Sequence, residues 1–365
     1  MKFSINRESL LRPLQQVAGV VERRQTLPIL SNVLMKVGEG QLTLTGTDLE
    51  VELVGKVEVS GADGGEVTVP ARKFMDICRQ LPDKADIQID LQDQHLVVKS
   101  GRFKSTLSTL GAQDFPAIET SIGELTIRLN SKALKNLLDK TGFAMAQQDV
   151  RFFLNGMLLE IGQGVVRAVA TDGHRLALNS LEVPEAGMVK QVILPRKGVL
   201  ELQRLLQEVE GDVVLTIGSN HLGAVTDEFA LTTKLLDGKF PDYERVIPRD
   251  GNCVILADKE ELRQALSRTA ILSNEKFRAI RVSFTNGIIQ LSANNPEQEK
   301  AEETVSVDYQ GDAVEIGFNV SYLQDVLGVL DSDKVRITVL DANSSALLEE
   351  PENDDAIYVV MPMKL

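Results

Sequence analysis

The sequence is poor in the residues that build metal sites and disulfide frameworks. Among its 365 residues are only two cysteines, Cys78 and Cys253, and they lie 175 positions apart. This spacing excludes a CxxC metal or redox motif and a disulfide framework. The three histidines, at positions 95, 174 and 221, are also far apart and form no HExxH motif. We therefore expect no metal site and no cofactor.

Long apolar runs and nucleotide-binding loops are also missing. No stretch approaches the roughly 18 uninterrupted apolar residues of a membrane span. The N-terminal segment MKFSINRESLL lacks the apolar core of a signal peptide. The phosphate-binding patterns GxGxxG and GxxxxGK[ST] and the nucleophile motif GxSxG do not occur. These absences predict a cytoplasmic protein that is not an enzyme.

The composition is that of an ordinary globular protein. Hydrophobic residues make up 43% of the chain and charged residues 25%, and the length corresponds to two or three domains. The net charge of −14 taken alone argues against nucleic-acid binding, because attraction to phosphates needs a positive surface.

Three amphipathic helical patterns begin behind residues that can cap a helix. Asn6, Asn130 and Asp258 each precede such a pattern, and the spacings between them are 124 and 128 residues. The first pattern contains Pro13, which is expected to kink the helix or remove a hydrogen bond. This regular spacing is the first sign of an internal repeat.

A second helical pattern recurs with nearly the same period. Its acidic residues Asp76, Glu201 and Asp325 are separated by 125 and 124 residues. Alternating, β-rich runs lie between the helices and are punctuated by turn residues. The chain is thus predicted to contain three α+β units, each with two helices packed on antiparallel sheet. We place them at residues 1–121 (N-terminal), 122–247 (central) and 248–365 (C-terminal).

Charge is distributed unevenly between the helical windows and the rest of the chain. The windows 7–24, 70–84, 131–151, 195–210, 258–281 and 319–334 carry a net charge of +6, whereas the remaining residues carry −20. A ring with its helices inside would attract a polyanion only into its hole. The other explanation is that Lys and Arg simply favour helices.

Three further motifs have more than one interpretation. Thr171–Arg175, with the sequence TDGHR, could hold an acid–base pair, but a turn followed by a strand is the better interpretation. The acidic stretches Glu297–Glu303 and Glu349–Asp355 lack the DxDxDG calcium pattern and are interpreted as surface or as partners of basic residues. The apolar C-terminus YVVMPMKL favours a peptide-binding groove over a final core strand alone.

Strings along the whole chain resemble one protein family. TLPILSN, LTLTGTDLEVEL, VPARKFMDICRQLP, FAMAQQDVRFFLNGM, VATDGHRLA, DGKFPDYERVIP, ANNPEQE and YVVMPMKL closely resemble the bacterial DNA polymerase β subunit, the replicative sliding clamp. The resemblance runs through all three units in order. It implies three repeated DNA-clamp-fold domains and a ring-shaped, head-to-tail homodimer with pseudo-six-fold symmetry.

The resemblance also implies how such a protein works. The ring would encircle duplex DNA, tether the replicative DNA polymerase and confer processivity, without catalytic activity. Further expected partners are the clamp loader and other polymerases and repair proteins that carry short linear peptides. Phe152 and Phe153 stand where relatives often have tyrosines. Expected sequence-independent DNA contacts are Arg24, Arg72, Arg79, Gln148, Arg196 and Lys197.

A partner-peptide groove is implied between the second and third units. Its expected residues are Leu154, Thr171, Gly173, His174, Arg175, Leu176, Pro241, Arg245, Val246, Phe277, Asn319, Tyr322, Ser345, Val360, Met361, Pro362, Met363 and Leu365.

A dimer interface is implied between the first unit of one copy and the third unit of the other. Its expected residues are Arg102, Phe103, Lys104, Thr106 and Leu107, facing Ile271, Leu272, Glu299, Glu302 and Glu303. Phe103 lies two residues ahead of the usual aromatic position, which Ser105 occupies. A displacement of two keeps the same sheet face, so we still expect a dimer.

Two other hypotheses compete with the clamp. An acidic scaffold would use the C-terminal groove without touching DNA, and an enzyme would use Asp172 and His174. Retention on circular but not linear DNA separates a clamp from a scaffold, and a His174→Ala variant tests the enzyme.

Overall fold

The computed structural model describes residues 1–22, 27–118, 123–184, 186–249 and 251–364. The chain packs as two compact units, each made of two stretches. Unit 1 comprises Met1–Lys132 and Lys197–Leu235, and unit 2 comprises Ala133–Arg196 and Leu236–Leu365.

The six helices of the described residues follow the predicted order. The three expected capping residues all accept a backbone N–H: Asn6 from Glu8 (3.1 Å), Asn130 from Lys132 (3.0 Å) and Asp258 from Glu261 (2.8 Å). None of these helices is long and apolar enough to cross a bilayer. The helices are α1 (Arg7–Val20), α2 (Ala71–Gln80), α3 (Ser131–Gly142), α4 (Arg196–Gln207), α5 (Lys259–Ala270) and α6 (Val320–Val329).

The predicted helical windows were too long at their C-terminal ends. The first helix ends at Val20, the third at Gly142 and the fifth at Ala270, and irregular chain follows each end. Pro13 lies inside α1, which is one continuous helix. Within the observed bounds the six helices hold fourteen Lys and Arg against seven Asp and Glu, so the charge segregation persists. Helix α6 departs from this segregation, because it carries Asp325 and no cation.

Unit 1 contains two antiparallel sheets. One has the strand order β5-β1-β7-β8-β9, and the other has the order β10-β15-β16-β17-β4-β3-β2-β6. Helix α1 packs on α2 and on β3 and β4, and its buried face includes Leu10, Leu14 and Val17. The strands are β1 (Lys2–Asn6), β2 (Asn32–Gly38), β3 (Gln41–Thr47), β4 (Val51–Glu58), β5 (Ser60–Asp63), β6 (Gly65–Pro70), β7 (Asp86–Gln92), β8 (His95–Ser100), β9 (Phe103–Ser108), β10 (Leu125–Asn130), β15 (Asp212–Ile217), β16 (His221–Val225) and β17 (Phe229–Lys234).

Unit 2 also contains two antiparallel sheets. Their strand orders are β14-β11-β12-β13-β25-β24-β23-β18 and β21-β20-β19-β22. Helix α5 packs on α6, β20 and β21. The strands are β11 (Gly156–Gly162), β12 (Val165–Thr171), β13 (Arg175–Glu182), β14 (Lys190–Pro195), β18 (Cys253–Asp258), β19 (Ala279–Thr285), β20 (Ile288–Asn294), β21 (Lys300–Ser306), β22 (Val314–Asn319), β23 (Lys334–Val339), β24 (Ala346–Glu350) and β25 (Asn353–Val360).

Each eight-stranded sheet joins strands of two neighbouring repeats. In unit 1 the junction is the β4–β17 pair, where Leu53 lies opposite Leu231. In unit 2 it is the β13–β25 pair, where Ala177 lies opposite Tyr358. Because hydrogen-bonded sheets continue across the repeat boundaries, compactness divides the chain into two units although the sequence contains three repeats.

Candidate functional site

An apolar cavity of about 230 Å³ lies in unit 2, where the β12–β13 hairpin, two 3₁₀ turns and the end of β25 meet. The turns are Phe152–Leu154 and Tyr243–Val246. Nearly all of the cavity surface is apolar, with a few polar groups at its wall. A concave apolar site of this kind suits the anchoring side chain of a ligand. Its lining residues are Arg151, Leu154, Thr171, Gly173, Arg175, Leu176, Pro241, Asp242, Tyr243, Val246, Val359 and Met361.

The TDGHR motif forms the turn of the β12–β13 hairpin. The Oδ1 atom of Asp172 accepts the N–H groups of His174 (2.9 Å) and Arg175 (3.1 Å). Gly173 has a φ of +87°, a backbone region that favours glycine. The interpretation as a turn followed by a strand is confirmed. The Asp172 carboxylate holds the turn and also pairs with the Arg175 side chain at 3.1 Å.

Arg175 forms part of the cavity wall and is held on several sides. Its Nη2 donates to the Phe143 carbonyl at 2.7 Å, and its Nη1 pairs with Asp325 of α6. Its guanidinium lies 4.5 Å from the ring centre of Tyr322, also in α6. These contacts fix the cation in one position, so the wall that it forms is preorganised.

Arg151 forms another polar part of the wall. Its Nε and Nη2 bind the Asp149 carboxylate at 3.0 and 2.8 Å, and Nη2 also reaches the Asp172 carbonyl at 3.3 Å. The hydrogen bonds from Arg151 lower the pKa of Asp149 to about 2. The ion pair therefore stays intact through the neutral pH range.

Tyr243 contributes its buried ring to the cavity and its hydroxyl to a polar network behind it. The hydroxyl donates to Glu160, and Arg167 donates to the hydroxyl oxygen at 3.2 Å. Burial, together with the Glu160 carboxylate, raises the pKa of Tyr243 to about 12. Tyr243 is thus a neutral donor that anchors this turn.

The C-terminal segment extends past β25 along the cavity. The Met361 N–H donates to the His174 carbonyl at 2.9 Å, and the Met363 N–H donates to the Gly317 carbonyl at 2.7 Å. Tyr358 to Val360 form the end of the final strand, and Met361 beyond it lines the cavity. The final strand is confirmed for Tyr358 to Val360, and the peptide-binding groove stays a prediction for the segment beyond it.

The expected groove residues do not all meet at this cavity. Eight of them line it, and Phe277 and Met363 instead line a second cavity of about 580 Å³ together with Asn294 and Asn295. Val360 is fully buried, and Val359 lines the cavity in its place, because adjacent strand residues face opposite sides. The remaining expected residues lie outside the cavity lining, namely His174, Arg245, Asn319, Tyr322, Ser345 and Pro362, and Leu365 lies outside the described residues.

Sequence reasoning did not select four of the lining residues, Arg151, Asp242, Tyr243 and Val359. The alternation of buried and exposed positions along the final strand could have indicated Val359. The other three are brought to the cavity by turns, and the sequence carried no periodic signal for their direction.

The expected DNA contacts have different surroundings. Arg72 and Arg79 lie exposed on α2, and Gln148 is exposed in the loop after α3. Arg196 donates to the Met145 carbonyl at 3.3 Å, and burial and the nearby Arg175 lower its pKa. Lys197 pairs with Asp48 and, at 2.7 Å, with Glu22. Arg24 lies outside the described residues.

The expected dimer residues lie on or near two sheet edges. Strand β9 is the last strand of the five-stranded sheet, and β21 is the last strand of the four-stranded sheet. Phe103 and Ile271 are exposed by 42% and 77%, which is unusual for large apolar side chains, whereas Leu107 is buried within its own sheet. Glu303 pairs with Arg268, and the hydrogen bonds from Arg268 lower the pKa of the Glu303 carboxyl.

The acidic stretches act as partners of basic residues. Arg336 binds Glu349 at 3.2 Å and Asp354 at 3.3 Å. Glu350 is buried and pairs with the equally buried Lys140 at 3.2 Å. Among the described residues, no group of three or more His, Cys, Asp or Glu side chains is arranged to hold a metal ion.

The three repeats, each with two helices on antiparallel sheets, define a DNA clamp architecture. Family models of the DNA polymerase III beta subunit match nearly the whole chain: the N-terminal domain at residues 1–119, the central domain at 128–242 and the C-terminal domain at 244–364. The chain is 59% identical to the beta sliding clamp of Pseudomonas putida and 48% identical to that of Escherichia coli K12, over the full length of each. A Pseudomonas aeruginosa clamp solved with griselimycin bound is 59% identical, with a TM-score of 0.97 over all of both chains. The chain belongs to the family of DNA polymerase III beta subunits, the bacterial beta sliding clamps.

Membership of this family decides between the competing hypotheses. The family acts in DNA replication as a dimeric ring that tethers the polymerase and confers processivity, and it is not a catalytic family. The acidic scaffold that never touches DNA and the enzyme built on Asp172 and His174 are therefore wrong. The resemblance seen in the sequence is confirmed, as is the fold of three clamp domains.

Proposed function

We propose that two copies close head to tail by repeating the strand pairing found inside the chain. The first repeat pairs with the second through β4 and β17, and the second pairs with the third through β13 and β25. The corresponding strands left at sheet edges are β21 in the third repeat and β9 in the first. Two unpaired edges that match by repeat are the observation that carries this proposal.

The internal pairs also give the register of the proposed interface. Strands β8 and β16 both begin with histidine, and β9 and β17 both begin with phenylalanine, so β9 corresponds to β17 with an offset of 126 residues. Strands β20 and β21 pair in the same register as β3 and β4. Each residue of β21 therefore corresponds to the β4 residue whose number is 248 lower. Because Val54 lies opposite Ala230, Glu302 would lie opposite Lys104 of the partner copy. Opposite charges at that position favour the pairing.

Basic and polar residues in and next to the helices are proposed to contact DNA without reading its sequence. The helices carry a surplus of cations in a chain whose net charge is −14. Contacts to phosphates position a protein on DNA without specifying bases. The proposed contacts within the described residues are Arg72, Arg79, Gln148, Arg196 and Lys197, and Arg24 is proposed outside them.

The apolar cavity is proposed to anchor short partner peptides through an apolar side chain. The preorganised cations Arg151 and Arg175 would orient the peptide at the cavity rim. The expected groove residues away from the cavity, such as Phe277 and Met363, would contact the rest of the peptide.

We also propose domain boundaries at 121/122 and 247/248 and action in the cytoplasm, where the replicative polymerase works.

The ring is tested by its topology. Clamps loaded onto nicked circular DNA should stay bound through gel filtration and should be released when the DNA is linearised. Equal release from both forms would contradict enclosure. Light scattering over a dilution series should show a dimer, and a monomer at all concentrations would contradict the strand pairing.

The groove is tested separately by fluorescence anisotropy. The probe is a labelled peptide from the clamp-binding segment of the replicative polymerase. Met361→Ala should weaken its binding, because Met361 lines the cavity, whereas Met188→Ala, an exposed methionine outside the cavity, should not. Equal effects of the two variants would contradict the proposed groove.

A further inference from the structure

Asn155 ties the loop that follows α3 to the start of β11. Its Oδ1 accepts the N–H of Asp149 at 2.9 Å, and its Nδ2 donates to the carbonyl of the same residue at 2.9 Å. Its backbone carbonyl accepts the N–H of Arg196, the first residue of α4, at 2.9 Å. One half-buried side chain therefore satisfies both backbone groups of Asp149 and connects the loop to two regular elements.

The loop needs this support because it is strained and exposed. Gln148 has a φ of +56°, which is unfavourable for a residue with a side chain. Val150, two residues further on, is 96% exposed and adds little packing. The Asp149 carboxylate, placed by Asn155, binds the Arg151 guanidinium. Thus a chain of direct contacts runs from Asn155 through Asp149 to Arg151 at the cavity wall.

The other two repeats have different side chains at the position of Asn155. In the third repeat, the carbonyl of Arg278 accepts the N–H of Val320, the first residue of α6, in the same way as the carbonyl of Asn155 accepts that of Arg196. In the first repeat Asn32 pairs with Pro70, and in the central repeat Gly156 pairs with Pro195. Asn32 and Gly156 therefore correspond, and so do the residues before them, Ser31 and Asn155. The shared fold therefore does not require an asparagine here. The central repeat, which carries the cavity, has one.

We propose that Asn155 is a positioning residue for partner-peptide binding, acting through Asp149 on Arg151. This inference rests on the proposed groove. The two hydrogen bonds from the Asn155 side chain to Asp149 also hold the backbone next to Gln148. Asn155 therefore supports both a proposed DNA contact, Gln148, and a residue of the cavity wall, Arg151. Asn155 itself does not line the cavity.

The test combines Asn155→Ala and Arg151→Ala in a double-mutant cycle. Each single variant should weaken binding of the labelled polymerase peptide about tenfold, and the double variant should bind no more weakly than Arg151→Ala alone. Hydrogen exchange at the Asp149 amide should become faster in Asn155→Ala. Asn32→Ala is the matched control, because it removes a buried side-chain bond to Thr68 in unit 1 and should leave peptide affinity unchanged.

The possible outcomes separate this inference from the proposed function. If the wild-type chain does not bind the peptide, the groove proposal fails. If it binds and Asn155→Ala binds equally well, or if the two substitutions act additively, the positioning role of Asn155 is wrong. If Asn155→Ala does not fold, Asn155→Ser provides the same test, since serine is the residue of the first repeat and is too short to make both bonds.

Discussion

Gly173 shows how one residue can serve both a turn and a binding wall. Its φ of +87° disfavours any side chain, and a Cβ placed there would lie 3.0 Å from Nη2 of Arg151. The hairpin turn and the position of Arg151 therefore both depend on the missing side chain.

Replacing Gly173 with alanine should impair binding more than folding. We expect the free energy of unfolding to fall by about 1–2 kcal/mol from backbone strain, and peptide affinity to fall several-fold because Arg151 must move. Gly211→Ala is the control, since Gly211 has a φ of +90° and open space around the added Cβ. Denaturant titration and anisotropy measure the two effects. A similar loss of affinity in both variants would contradict the argument.

Lys140 is a buried cation whose partners come from the third repeat. Its Nζ lies 3.2 Å from Glu350 and 2.8 Å from Asp331. Lys140→Met should lower the free energy of unfolding by about 3–5 kcal/mol, because it leaves a buried carboxylate unpaired. Lys36→Met, which breaks an exposed pair with Glu66 at 4.0 Å, should cost at most about 1 kcal/mol. Chemical denaturation compares the two.

The same pair predicts a pH dependence. Burial alone would lower the pKa of Lys140, but hydrogen bonds and attraction from Asp331 and Glu350 outweigh it and raise that pKa above its ordinary value. A raised pKa means that the contribution is complete below the unfolded-state pKa and is lost as pH rises through the folded-state value. The stability difference between wild type and Lys140→Met should therefore stay constant from about pH 6 to about pH 9 and change only in strong alkali. A change near neutral pH would contradict this assignment.

At the scale of elements, helices α2 and α4 both carry cations, but they differ in whether a cation already has carboxylate partners. Arg72 on α2 is exposed, whereas Lys197 on α4 is held by Asp48 and Glu22. Cations that already have carboxylate partners release fewer DNA counterions when DNA binds.

Binding to linear duplex at several salt concentrations should distinguish the two helices. Arg72→Ala should reduce the slope of log K against log salt by about 0.9 for every phosphate that the variant no longer neutralises. Lys197→Ala should reduce the slope by less than Arg72→Ala does, because Lys197 is already paired with two carboxylates, and it should also lower stability by about 2 kcal/mol, because Asp48 is left without its charged partner. The reverse pattern would show that Lys197 exchanges its carboxylate partners for phosphates.

The elements that sequence predicted well are those with local signals. The caps at Asn6, Asn130 and Asp258 fixed the helix starts because the bond from side chain to backbone is local. The helix ends were predicted too late, since apolar residues continue at helical spacing into loops such as the one holding Met145. Tyr243 was missed because its role depends on Glu160, 83 residues away. Long-range contacts of this kind leave no periodic pattern.

At the scale of the whole molecule, two of the sheets in the described residues end at strands whose counterparts in the other repeats are paired, namely β9 and β21. Lys104 on β9 lies opposite Lys99 of its own sheet, an unfavourable arrangement of like charges. An acidic residue arriving on the other side of β9 would relieve this repulsion. Glu302 is the residue that the internal register brings there.

Exchange of charge between these two positions tests the register of the closed ring. Lys104→Glu or Glu302→Lys alone should place like charges opposite each other at both interfaces, at about 1 kcal/mol each, and should weaken dimerisation about 30-fold. The double variant should recover most of the wild-type affinity, because it restores opposite charges in the same register. Lys56→Glu, on the internal strand β4, controls for the change in net charge. Sedimentation over a dilution series measures the dissociation constants, and a double variant weaker than either single one would mean that the interface pairs in another register.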